Sequence, residues 1–151
     1  MPRIRTAEAR DERRPGGVTV TGRHAPLART AVVRAATTVL RCERRQVALS
    51  LTFVGPERMR ELNARWKHRP EPTDVLAFSL SGPGGALLGD VYICPAVAAL
   101  EAEARGLPLR QELLRLVIHG VLHVLGYDHP RERRTASAMW RRQERYLKEL
   151  R

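Results

Sequence analysis

The chain predicts an α+β fold: a single domain with a mixed four-stranded sheet, surrounding helices and one central helix. Three observations carry this. Segments of strand and helix period follow the order strand, helix, strand, helix, strand, strand, helix, helix, helix. The helix expected over 109–125 is apolar on nearly all faces, through Leu113, Leu114, Leu116, Val117, Ile118, Val121, Leu122, Val124 and Leu125, as a central buried helix is. The length of 151 residues, with 43% hydrophobic and 28% charged, suits one domain with a real core.

The elements follow in order. Residues 1–17 are polar and charged and end in Pro15-Gly16-Gly17, so they read as a flexible N-terminal extension ahead of a domain over 18–151. A short strand is expected over 18–21. A helix is expected over 27–40, where Leu27, Ala31, Val32, Ala35 and Leu40 recur at helical spacing after Pro26. Over 46–54, Val47, Leu49, Leu51 and Phe53 alternate with Ala48, Ser50 and Thr52, the period of a half-buried strand. Gly55-Pro56 ends it and opens a helix over 57–66, since proline suits a first helical turn. A polar loop over 67–72 leads to strands over 74–80 and 87–94. The turn between them, Ser81 to Gly85, makes the pair a hairpin. Helices over 95–105 and 109–125 are stopped by Gly106 and Gly126. A last helix covers 132–150, with Trp140 and Tyr146 expected to pack on the core.

Composition narrows the function. Basic residues outnumber acidic ones 27 to 16, a net charge of +11, which points to a polyanionic partner, nucleic acid first. Only Lys67 and Lys148 are lysine; codon bias explains arginine over lysine but not the excess of charge. No apolar run approaches the ~18 residues of a membrane helix, and no apolar block follows the N-terminal arginines as in a secretory signal. Two cysteines, Cys42 and Cys94, make no disulfide framework, so reduced thiols and a cytoplasmic location are expected.

The chemistry concentrates in H-x-x-x-H-x-x-G-x-x-H at 119–129. His119 and His123, four apart on a helix, project from one face and can share a metal ion. Gly126 permits a reversal that returns His129 toward them. Three nitrogen ligands suit zinc, one per chain, and leave a position open for water, as a catalytic site requires. A structural site would need a fourth ligand; Cys94 or Cys42 could in principle supply it, but neither has a ligand-like spacing to the histidines. One class of zinc peptidases shares this spacing but places a glutamate general base directly after the first histidine; here that position is Gly120. Asp128, the one carboxylate of the motif, either orients a ligand histidine or caps the turn.

HGVLHVLGYDH at 119–129 resembles the signature of the YbeY family of bacterial endoribonucleases. LNARWKHRPEPTDVLAF at 62–78 resembles the family segment ending in PTDVLSF, and LGDVYIC at 88–94 its LGDI-type strand. The resemblance implies an α+β fold around the zinc helix, with His119, His123 and His129 as ligands. It implies a single-strand-specific endoribonuclease acting on small-subunit (16S) rRNA, in its 3′-end maturation and in ribosome quality control. Its partners would be the rRNA precursor and the small ribosomal subunit, with neither membrane nor DNA. The family's basic residue in the cleft is an arginine and falls here on Lys67, with Arg65 and Arg69 as neighbours able to contact RNA instead. A zinc peptidase-like hydrolase and a non-catalytic assembly factor with structural zinc are the alternatives.

Overall fold

The alternating segments form strands and the helical-period segments form helices, within one or two residues of the expected bounds through residue 128. In chain order they are β1 (Val18–Gly22), α1 (Arg29–Cys42), β2 (Ala48–Phe53), α2 (Pro56–Lys67), β3 (Val75–Ser81), β4 (Leu87–Ile93), α3 (Pro95–Arg105), α4 (Leu109–Val124) and α5 (Ala138–Glu149), with a 3₁₀ turn at Pro83–Gly85 joining β3 to β4. The structure is a computed structural model and describes residues 17–128 and 137–150. Residues 1–16 of the expected extension over 1–17, and residues 132–136 of the expected last helix, lie outside the described residues. α1 starts two residues later than its pattern predicts, because Leu27 precedes the helix: its N–H donates to the His24 carbonyl at 2.8 Å and its side chain plugs the core.

The sheet is mixed, with strand order β1-β2-β4-β3. β1 runs parallel to β2 (Val18 opposite Leu49), β2 parallel to β4 (Ala48 opposite Leu88), and β3 antiparallel to β4 (Val75 opposite Ile93). Alternation along the strands sends side chains to two cores. Leu49, Leu51, Val91 and Ile93 meet α1, α4 and α5 in the larger one. Leu76, Tyr92 and Cys94 meet Met59 and Leu62 of α2 in the smaller one. Thus α4 covers one face of the sheet and α2 the other.

Two glycines let α4 lie close on its face. A Cβ at Gly120 would fall 2.5 Å from Val91 Cγ1, and one at Gly89 of β4 would fall 2.5 Å from Val124 Cγ1. α4 is central, as its pattern predicts, but it is not wholly apolar in what it buries. Glu112, Arg115 and His119 are buried with it.

Candidate metal centre

His119 and His123 stand one turn apart on α4, His119 buried and His123 half-buried. Their ring centroids lie 4.6 Å apart with planes at 76°. α4 ends in a Schellman turn directly after them: Gly126 takes φ +101°, its N–H donates to the His123 carbonyl (3.0 Å), and the Tyr127 N–H donates to the Leu122 carbonyl (3.1 Å). The chain therefore reverses where Gly126 predicts. Tyr127 is then tied down, its hydroxyl donating to Glu43 at 2.6 Å. Glu43, just beyond α1, also accepts from Arg142 (2.8 Å) and from the Tyr146 hydroxyl, both on α5. Burial disfavours the Glu43 carboxylate, but the hydrogen bonds from Tyr127 and Tyr146 and the Arg142 charge outweigh it and hold the carboxyl below its usual range. The same carboxylate, with burial, pushes both tyrosine hydroxyls up. Asp128 follows, exposed, and is the last described residue of this arm. His129 lies outside the described residues.

A polar cavity of about 100 Å³ opens beside His119. Gln143 of α5 forms part of its wall and places Oε1 2.7 Å from His119 Nδ1. Two turns before His119, Glu112 accepts from Arg115 (2.8 Å) and Arg105 (3.2 Å), and Arg115 Nε donates to Glu144 at 3.2 Å. These pairings make burial of Glu112 and Arg115 tolerable. Asp74 reaches the cavity from the loop before β3. That loop is fixed by buried Asn63, whose Nδ2 donates to the Glu71 carbonyl (2.7 Å) and whose own carbonyl accepts from the Arg69 N–H (3.3 Å). Trp140 also lines the cavity, half-buried, rather than packing in the core as its sequence position predicts; Tyr146 is in the core as expected.

Lys67, Arg65 and Arg69 are exposed at the end of α2. Lys67 Nζ sits 5.8 Å from the ring centroid of Phe78, which belongs to the α2 side of the sheet. None of the three lines the cavity; Asp74 is what their loop contributes there. Neither cysteine approaches the histidines' face: Cys94 is buried in the core under α2, and Cys42 is exposed at the end of α1. Among the described residues no group of three His, Cys, Asp or Glu side chains gathers. The two imidazoles themselves suit zinc: both are nitrogen donors on one helix face, and His119 carries the Nδ1 partner that ligating histidines almost always have.

Gln143, Asp74, Glu112 and Glu43 escape sequence reading. Gln143 had a signal, since it falls on the buried stripe of Met139, Tyr146 and Leu147, where an amide needs a partner.

The Endoribonuclease YbeY family model matches residues 20–151. An endoribonuclease YbeY of Sulfurihydrogenibium sp. (strain YO3AOP1) is 43% identical over 107 residues, 69% of this chain and 70% of that one. That of Persephonella marina is 38% identical over 109 residues, 70% and 71% of the two chains. The solution structure of TM1509 from Thermotoga maritima superposes with a TM-score of 0.63 at 26% identity, over 89% of each chain. With the family model spanning nearly the whole chain, this protein belongs to the endoribonuclease YbeY family.

Proposed function

We propose that this chain is a zinc-dependent endoribonuclease that hydrolyses phosphodiester bonds of single-stranded RNA. It acts on small-subunit rRNA, in 3′-end maturation and ribosome quality control, with the small subunit as partner and the cytoplasm as its location. The observation that carries this reading is the α4 histidine pair, of which His119 is held at Nδ1 and lines a polar cavity, in a family member of net charge +11. His119, His123 and His129 hold one zinc per chain. The metal supplies Lewis acidity for the hydrolytic water and a phosphoryl oxygen. Lys67, with Arg65 and Arg69 beside it, holds the RNA phosphate as a fixed positive charge. Asp128 orients a ligand histidine, and the Glu43–Tyr127 tie holds the arm on which Asp128 and His129 follow.

Two features support this reading over its rivals. At the peptidase general-base position, the Cβ direction of Gly120 runs into Val91, so a carboxylate there would be driven into the sheet. Cys94 and Cys42 stand away from the histidines, so neither supplies the fourth ligand of a structural site. Among the described residues no helix is long and apolar enough to cross a membrane. The test offers the purified chain a single-stranded RNA, a fully paired hairpin of the same composition, and casein. Cleavage of the single strand alone is expected. Casein degradation with intact RNA would replace the reading by a peptidase, and no cleavage of any substrate would make the chain non-catalytic.

A further inference from the structure

We propose that Gln143 is a positioning residue of the metal centre: it fixes His119 as the Nδ1–H tautomer and so leaves Nε2 as the nitrogen that ligates. This rests on the zinc reading above. Gln143 is 1% exposed, and its Oε1 lies 2.7 Å from His119 Nδ1. Its Nε2 is buried without a hydrogen-bond partner among the described residues. An amide held this way costs free energy that a leucine of similar volume would avoid. Its one described bond is the one to His119.

The direction of that bond follows from the chemistry. With Oε1 facing Nδ1, the imidazole must donate, and its proton sits on Nδ1. The flipped amide would donate to Nδ1, place the ring proton on Nε2 and remove the lone pair a metal needs there. Only the first arrangement is compatible with ligation through Nε2. The support is rigid, because α5 is anchored one residue earlier by Arg142 and three residues later by Tyr146, both bonded to Glu43. α5 therefore holds the ring of one ligand directly and, through Glu43 and Tyr127, ties the arm that leads toward another.

The test compares wild type with Gln143→Leu, which keeps the volume without the acceptor, and Gln143→Glu, which keeps an acceptor oxygen whether ionised or protonated. The first readout is the tautomer of His119 in metal-free protein, from long-range ¹H–¹⁵N couplings of the imidazole. The second is zinc affinity, by competition with a chromophoric chelator. Wild type and Gln143→Glu are expected to show the Nδ1–H form and similar affinity. Gln143→Leu is expected to lose the tautomer preference and about 10–100-fold in affinity, as for other partners of ligating histidines. An Nε2–H tautomer in metal-free wild type overturns the proposal even if Gln143→Leu does not fold. So does a folded Gln143→Leu that binds zinc like wild type. A wild type that binds no zinc overturns the zinc reading itself, a result distinct from either.

Discussion

Gly120→Ala isolates the contact that lets α4 lie on the sheet. In mid-helix, alanine ordinarily stabilises by about 1 kcal/mol over glycine. Here the added Cβ would lie 2.5 Å from Val91 Cγ1, 3.2 Å from Cγ2 and 3.4 Å from Cβ. Relaxed carbon contacts are ~3.5–4.0 Å, so the overlap with Cγ1 exceeds what a small adjustment absorbs. Val91 does not yield easily. It is fully buried, stiff at χ1, and on an inner strand between β2 and β3. Lifting α4 instead would open the close contact of Val124 over Gly89. Overpacking of this kind costs about 1–3 kcal/mol, which exceeds the helix-propensity gain toward its upper end. The expected net loss is about 1–2 kcal/mol, and at 2–4 °C per kcal/mol the melting midpoint falls by about 2–8 °C. Urea unfolding and thermal melting measure it, and Val91→Ala supplies the double-mutant cycle. In that background the new methyl group at position 120 fills the space left by the two valine methyls, so Gly120→Ala turns neutral or stabilising. A higher midpoint for Gly120→Ala alone, or strict additivity with Val91→Ala, would refute the packing argument.

Four residues carry the other expectations. Glu43 binds its proton less tightly in the folded chain than unfolded, so its contribution is complete above the ordinary glutamate range near 4.3 and is lost as pH falls through the lower folded value. Glu43→Gln should therefore cost stability at pH 7, about 1.5–3 kcal/mol for each charged hydrogen bond weakened, and flatten the acid limb below the ordinary glutamate range; parallel acid limbs in urea titrations would contradict this. Lys67→Ala should leave zinc content intact and slow single-turnover RNA cleavage by about 10²–10³-fold, while Lys67→Arg keeps most activity. If Arg65→Ala or Arg69→Ala fails instead, the phosphate contact belongs to that neighbour.

The strands and helices were legible because each repeats its own period, as in Val47, Leu49, Leu51 and Phe53. The start of α1 was not. Ala28 is its cap and offers no side-chain acceptor, so nothing in the chain marks the shift from 27 to 29. At the site, the i,i+4 histidines and Gly126 announce themselves within a few residues. Gln143 and Glu43 do not name their partners, which lie 24 and 84 residues away at His119 and Tyr127; periodicity puts Gln143 on a buried stripe but does not say what it meets there. Glu112 and Arg115 were masked for another reason. Each satisfies the other inside a helix whose apolar majority dominates the pattern. The loop at 67–74 shows the same limit: its basic residues stand out in sequence, yet the side chain it brings to the cavity is Asp74, whose carbonyl accepts from the Cys94 N–H of the neighbouring chain segment.

The most direct test is single-turnover cleavage of a single-stranded RNA spanning the small-subunit rRNA 3′ end, using protein stripped by a chelator and titrated with zinc. Cleavage should vanish on stripping and return in full at about one zinc per chain, while His123→Ala binds no zinc and stays inactive. Cleavage by stripped wild type, or by His123→Ala, at the rate of the untreated protein would contradict the account.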